Sequence, residues 1–265
     1  MSSVSPLRVA QITDIHLFAD RQRELLGLPT ADSFGAVLQR LTEIRSEVDL
    51  ILLTGDLSQD GTPESYAQLQ SRLIPLGIPT YWLPGNHDNP ITMRQILYQA
   101  PILPQKAFRI GIWQFILLNS GVPGRVHGYL SPESLDWLDS QLQLSRCYPT
   151  TIALHHPPFL VESAWLDTST LQNSAQLFAV LDRYPQVKLV LFGHIHQEFT
   201  CQQRGVHYLG APSTSIQFEP KSSQFSLDQT TPGFRLLNLY ADGTWDSRVE
   251  RTAYNHQLNL AASGY

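Results

Sequence analysis

Basic clusters are missing from this chain of 265 residues, whose formal charge is -5 and in which no two Lys or Arg residues are adjacent. Nucleic-acid binding draws its affinity from grouped cations that displace counterions, so it is not expected as the main function. Cysteine is scarce: Cys147 and Cys201 have no CxxC spacing and make no disulfide framework. A reducing compartment is therefore expected, although one bridge between the two stays open. No apolar run approaches the roughly 18 residues of a membrane helix. Met1 to Pro6 lacks the charged-then-apolar pattern of a signal peptide. A soluble cytoplasmic protein follows as the expectation, with no membrane and no nucleic acid among its partners. No repeat or low-complexity tract is visible.

What remains is ordinary globular composition, 42% hydrophobic and 15% charged, enough for one large α/β domain or two small ones. Short β-type runs alternate with helical ones. Leu7–Ile12, Asp49–Leu53, Thr80–Leu83, Thr151–Leu154 and Val187–Phe192 read as strands. Phe34, Val37, Leu38, Leu41 and Ile44 fall at helical spacing, and helices are expected over Pro63–Leu73, just after Pro90 and over Ser174–Tyr184. Ser131-Pro132-Glu133 reads as an N-cap, a first-turn proline and a first-turn acid, opening a helix to about Leu144. Phe108–Ile110 pairs with Trp113–Asn119 around Gly111. From Phe199 the pattern turns antiparallel, with Gln202–Leu209 broken at Gly205 and a last hairpin of Phe234–Tyr240 and Thr244–Val249. A single domain over 1–265 is expected, mostly parallel first and antiparallel last. The loop Ala211–Gly233 is too long for an idle connection and is expected to rim a site.

Five segments stop apolar runs with metal-seeking side chains: Asp14-Ile15-His16, Gly55-Asp56, Gly85-Asn86-His87-Asp88, His155-His156 and Gly193-His194-Ile195-His196. Extended backbone would point Asp14 and His16 the same way, and likewise His194 and His196. Alone, Asp14-x-His16 and Gly55-Asp56 read as turns, Asn86-His87-Asp88 as a polar loop and His155-His156 as a satisfied interior pair, while the two imidazoles of His194-x-His196 on one strand face are rarer by chance. Five of them at strand ends form a conjunction, because functional residues of α/β sheets collect beyond the carboxyl ends of the strands. Together they carry more carboxylates and imidazoles than one ion can use. A bridging carboxylate can hold two ions about 3.5–4 Å apart, with a hydroxide between them that attacks phosphorus in line. Two carboxylates and neutral ligands leave such a pair positive, which suits a small anionic phosphodiester.

The order DxH, GD, GNHD, H and GHxH resembles the calcineurin-like metallophosphoesterase superfamily. The likeness is greatest to bacterial class III 3′,5′-cyclic-AMP phosphodiesterases. It rests on Gln11-Ile12-Thr13-Asp14, Thr54-Gly55-Asp56-Leu57, Trp82 to Asp88 and Gly193 to Glu198, and in the tail on Pro212-Ser213-Thr214, Gln217-Phe218 and Pro232-Gly233-Phe234-Arg235. The resemblance implies an α/β fold, a four-layer α/β/β/α sandwich of two packed mixed sheets. It implies one metal on Asp14, His16, Asp56 and His196, and a second on Asp56, Asn86, His155 and His194. His87 is left as a catalytic helper that donates to the leaving alkoxide or stabilises charge, and substrate contacts are expected from His16, Asn86, His87 and His196. Asp88 either orients His87 or is a solvated loop carboxylate. His156 either supports the ligands or is merely structural.

The implied reaction opens 3′,5′-cyclic AMP to 5′-AMP. Glycerophosphodiesters, 2′,3′-cyclic nucleotides or nucleoside diphosphate derivatives are the alternative substrates, and a non-catalytic scaffold is the third reading. Fe/Mn or di-Mn is the expected metal pair, with Zn or Co also suited to mixed N/O ligands. Purple acid phosphatases carry a tyrosine ligand three residues after the bridging Asp, where this chain has Gln59. Homodimers occur in the family, but no interface is legible here. Outside the motifs, His127, His207 and His256 are expected at the surface or in structural roles, and Trp82, Trp113 and Trp137 in the core. Trp165 either walls the substrate pocket or packs its loop, while Ser213 and Thr214 are weighed as ligand contacts.

Overall fold

The structure is a computed structural model that describes residues 5–264. Its framework is two six-stranded sheets. In chain order the strands are β1 Leu7–Ile12, β2 Leu50–Thr54, β3 Thr80–Leu83, β4 Ile102–Leu103, β5 Ala107–Ile110 and β6 Trp113–Leu117. They continue with β7 Thr150–Ala153, β8 Val187–Phe192, β9 Phe199–Gln203, β10 Val206–Gly210, β11 Gly233–Leu239 and β12 Trp245–Arg251. One sheet runs β12-β11-β1-β2-β3-β4 and the other β9-β10-β8-β7-β6-β5. Both are mixed: β1, β2 and β3 are parallel neighbours, as are β6, β7 and β8, while β11–β12 and β5–β6 are antiparallel hairpins.

Strand alternation explains why the sheets pack face to face. Val9, Leu50, Leu52 and Leu237 of the first sheet share one apolar cluster with Phe115, Ala153, Leu189 and Leu191 of the second. The intervening residues Ala10, Ile12, Ile51 and Leu53 turn the other way, toward α1 (Thr30–Glu43), α2 (Pro63–Leu73) and α3 (Pro90–Ile96). Ile152, Val190 and Phe192 likewise face α4 (Pro132–Leu144) and α5 (Ser174–Leu181). Helices thus cover both outer faces, giving four layers in the order α/β/β/α. Strands buried on both sides read as near-continuous apolar runs, and β2 is apolar from Leu50 to Leu53 before it ends on Thr54. Each fully buried aliphatic side chain contributes roughly 1.5–3 kcal/mol of transfer free energy. No helix among the described residues is long and apolar enough to cross a membrane.

The helix ends follow local chemistry. Ser131 caps α4 by accepting from Ser134 N–H, with Pro132 in the first turn, and Thr62 caps α2 by accepting from Ser65 N–H. Trp82 and Trp113 are buried, and Trp137 packs against the core half-buried. The antiparallel tail needs one correction. β10 pairs antiparallel with β9 but parallel with β8, so the second sheet grows by one more parallel strand before it reverses. The segment 211–233 also contains a short hairpin, Gln217–Phe218 with Leu227–Asp228.

Candidate metal centre

The carboxyl ends of β1, β2, β3, β7 and β8 come to one side of the two sheets. Gln11 fixes their relation, its amide donating to Thr54 Oγ1 at 3.2 Å within its own sheet and to Phe192 O at 3.0 Å across to the other. Asp14 N–H then donates to Gly55 O and Gly193 N–H to His155 O. The loops beyond the strands are therefore tied to one another before any side chain is considered.

The way Asp14 and His16 converge differs from the extended geometry expected. Asp14, His16, Asp56, His194 and His196 all have positive φ, between 50° and 68°. Left-handed backbone at a non-glycine residue costs on the order of 1–3 kcal/mol and persists only where its surroundings over-determine it. Here they do. His16 N–H donates to Asp56 O, His194 N–H to both oxygens of the Asp14 carboxylate at 3.0–3.1 Å, and the Ser213 and Ser215 hydroxyls both to Asp14 O. The side chains point inward because the chain kinks at each one, while Ile15 and Ile195 between them are fully buried. Two glycines make room: a Cβ at Gly85 would collide with the Asp56 carboxylate, and one at Gly193 with Thr13 and the Asp14 carboxylate.

The ligand-type atoms gather accordingly. Those of Asp14, His16 and His196 lie within 4.8 Å of one another, as do those of Asp14, Asp56 and His155, and those of His16, Asp56 and His87. Second partners set the histidine tautomers. A carbonyl can only accept, so His155 Nδ1 carries a proton for Thr54 O at 2.9 Å, and His196 Nδ1 one for Ile216 O at 2.8 Å. His16 Nδ1 donates to Gln59 Oε1 at 2.6 Å. Ser169 spends its hydroxyl proton on Leu166 O, so its oxygen accepts from His194 Nε2 at 2.8 Å. Four imidazoles thus turn their second nitrogen inward. Those of His16 and His196 meet Nε2 to Nε2 at 3.2 Å, with Asp14 Oδ1 3.3 Å from His196.

Such an arrangement repels itself unless cations share it. Asn86 Oδ1 and His194 Nδ1 are buried polar atoms with no hydrogen-bond partner, and beside them Asp56 Oδ2 and His155 Nε2 meet as a buried ion pair at 3.2 Å. Burial of an unsatisfied polar atom costs about 1–3 kcal/mol, and two beside a buried ion pair require an explanation. A metal ion supplies it, so the donor set fits a dinuclear centre.

The electrostatics agree. Burial would raise the Asp56 carboxyl, but the imidazoles of His155, His87 and His16 hold it well below its ordinary range. Asp14 is held down in the same way, chiefly by His196. Burial pushes His16 down to about 3 and His194 well below its ordinary value, which keeps both neutral and able to ligate. For His155 burial is overcome by Asp56, whose Oδ2 lies 3.2 Å away, and its value rises to about 9.

Several residues change role. His156 has both nitrogens engaged: Nε2 donates to Val126 O at 2.9 Å and Nδ1 meets the Ser120 hydroxyl at 2.8 Å. It is a buried neutral brace, pushed to about 3 by burial. Asp88 is half-buried and tied into the loops. Its carboxylate accepts from Gly85, Leu57 and Ser58 N–H and from Tyr66 Oη, joining two of the motif loops. Burial and the Asp56 charge raise it to about 6. Ser213 and Thr214 are fully buried, and Ser213 supports Asp14 from behind. His207 packs on Trp245 and His256 on Tyr254, whereas His127 lines the site's cleft.

That cleft has a volume of about 840 Å³ and is lined by His87, His194, Arg125, His127, Trp165 and Phe225 among others. Several loops form it, and the Ala211–Gly233 segment contributes Ser223, Gln224 and Phe225. Arg125 and Phe225 carry no spacing signal in the sequence, and Gln59, Ser169 and Ile216 act through single atoms on the far sides of the imidazoles. Only a three-dimensional arrangement exposes them. The cysteines are free thiols, Cys147 exposed and Cys201 half-buried.

Known proteins place this geometry. Residues 7–198 match the calcineurin-like phosphoesterase family. The chain is 59% identical over 255 residues to a 3′,5′-cyclic-nucleotide phosphodiesterase of Nostoc sp., covering 96% of each chain. It is 42% identical over 261 residues to the 3′,5′-cyclic adenosine monophosphate phosphodiesterase CpdA of Escherichia coli strain K12, covering 98% of this chain and 95% of the relative. A dimetal phosphatase from Danio rerio shares the fold at TM-score 0.69 and 15% identity, covering 98% of this chain and all of the other. With the family match spanning well over half its length and all five motif loops, the chain belongs to the calcineurin-like phosphoesterases, a family of metal-dependent phosphoester hydrolases.

Proposed function

We propose that the protein is a phosphodiesterase that opens 3′,5′-cyclic AMP to 5′-AMP, acting as one domain. The observation that carries the chemistry is the buried group of donor atoms on Asp56, Asn86, His155 and His194, in which Asn86 Oδ1 and His194 Nδ1 have no partner and Asp56 Oδ2 meets His155 Nε2 at 3.2 Å. The substrate follows from the relatives named for cyclic nucleotides, which match beyond the motifs into the tail.

In this reading Asp14, His16, Asp56 and His196 hold one ion, and Asp56, Asn86, His155 and His194 the other. Bound there, the two ions would acidify a water molecule and neutralise charge on the phosphoryl oxygens. Fe/Mn or di-Mn is proposed on the family resemblance alone, since mixed N/O donors without thiolate suit Zn or Co as well.

The chain's own residues do the rest. Asn86 ligates without adding negative charge, so the site keeps a positive surplus for an anionic diester. His16, Asn86, His87 and His196 face the phosphate. His87 is half-buried and lines the cleft, and its backbone N–H is fixed on Asp56 Oδ1 at 2.9 Å. That anchor places its ring beside the reacting centre, where it protonates the departing ribose 3′-oxygen, a poor leaving group. The free thiols accord with a cytoplasmic location.

The test is turnover by the metal-loaded protein of 3′,5′-cyclic AMP, 2′,3′-cyclic AMP, bis-p-nitrophenyl phosphate and glycerophosphocholine. Cyclic AMP is expected to give the highest kcat/KM. Efficient cleavage of another diester without cyclic-AMP turnover would overturn the substrate, and inactivity on all four with two ions bound would favour a scaffold.

A further inference from the structure

A phosphodiester needs only the floor of the cleft, where His87 and His194 lie. The remainder of its roughly 840 Å³ is side-wall, in the size range of sites that enclose a whole small molecule. One wall is aromatic: Trp165 and Phe225 line it, both half-buried rather than sealed in the core. We propose that Trp165, supported by Phe225, is the nucleobase subsite, the surface against which the flat heterocycle of the cyclic nucleotide stacks. The proposal rests on the cyclic-nucleotide reading above and deepens it.

Two features distinguish this wall from ordinary loop packing. The indole is held in a fixed plane, edge-to-face with Phe218 at 4.9 Å and with Phe225 at 5.0 Å. Phe218 in turn stacks on the His196 imidazole at 4.1 Å and 11°. An aromatic series therefore runs from a candidate metal ligand to the cleft wall, and edge-to-face contacts of this kind are favourable beyond their buried area.

The second feature is covalent continuity. Trp165 leads directly into the single 3-10 turn Leu166–Ser169, and Ser169 Oγ accepts the Nε2 proton of His194. One five-residue stretch thus positions a metal-facing imidazole and the indole together. A group stacked on Trp165 stands at a set offset from the phosphate, which is what a rigid fused cyclic nucleotide requires. Glycerophosphodiesters have no flat apolar group and leave this wall unused. A nearby loop brings Arg125 and His127 to the same cleft, and it is pinned by Gly128 N–H donating to Thr170 O.

The test compares 3′,5′-cyclic AMP with 1-O-methyl ribose 3′,5′-cyclic phosphate, which keeps the sugar and the diester and lacks the base. The variants are Trp165→Leu, Trp165→Phe and Phe225→Leu in the metal-loaded protein, with metal content measured in each. Base–aromatic stacking sets the expected size of the effect, a rise in KM for cyclic AMP of about 10- to 100-fold in Trp165→Leu with kcat little changed. The base-free substrate should be unaffected, Trp165→Phe should recover most of the loss, and Phe225→Leu should give a smaller change in the same direction. Parallel losses on both substrates, or an unmoved KM for cyclic AMP, would overturn the subsite. A wild-type protein that cleaves other diesters but not cyclic AMP would overturn the substrate reading, and this proposal with it.

Discussion

The metal cradle and the cleft wall lie a few residues apart and are built on opposite principles. In the cradle Asp14, His16, Asp56, His155 and His196 are wholly buried, and every imidazole has its outer nitrogen tied to a carbonyl, amide or hydroxyl oxygen. The wall is made of half-buried aromatics on loops, in contact with one another, with buried Phe218 and with the core beneath. The exposed Lys221–Glu162 pair that links two of those loops adds little, because solvent screens it. The cradle resists change because each atom has one permitted place. The wall tolerates exchange and so can be tuned to a substrate without disturbing the chemistry. This predicts that damage to the cradle acts on all diesters and damage to the wall acts on one.

The sharpest way to break that contrast is Asp56→Ala. It removes the one carboxylate common to both proposed ligand sets, and turnover of every diester is expected to fall by at least about 10⁴-fold, of the order seen when a catalytic unit is dismantled. Steady-state assays on two unrelated diesters check it. Retention of activity on either would show that the ions do not share Asp56.

Next in size is His87→Ala. A general acid contributes about 10²- to 10⁴-fold, so kcat should drop by that amount while both ions stay bound. Elemental analysis alongside kinetics decides the matter. Loss of one ion in parallel would reassign His87, whose ring nitrogen lies near His16 and Asp56, as a ligand. The substitutions at Trp165 come last, with the smallest effect and the narrowest, confined to substrates that carry a base.

The same contrast governs what could be read from the chain. Metal ligation restricts residue type so strongly that Asp-x-His, Gly-Asp, Gly-Asn-His-Asp and Gly-His-x-His stand out at strand ends. Short apolar runs in β1, β2 and β8 revealed the strands for a related reason: burial on both faces leaves few polar choices. How the ligands converge was not legible, because left-handed backbone at Asp14 or His196 leaves no mark in an alternation pattern. Nor was the carbonyl of Ile216 that orients His196, since a backbone atom has no letter. Trp165 was visible but undecided. An aromatic in a loop serves packing or binding equally well, and only its neighbours Phe218 and Phe225 give it a direction.

The central claim is that the buried cluster holds two cations. In the metal-free protein His155 keeps its proton up to about pH 9, because the nearby Asp56 carboxylate outweighs burial. Binding must expel that proton. Affinity therefore rises as pH climbs toward 9 and levels off above it, where His155 is already neutral. Equilibrium dialysis of manganese against the intact chain between pH 6.5 and 9.5 measures both quantities at once. The account predicts two ions per chain, bound more tightly with each step in pH up to about 9. One ion or none at saturation, or an affinity that does not change with pH, would contradict it.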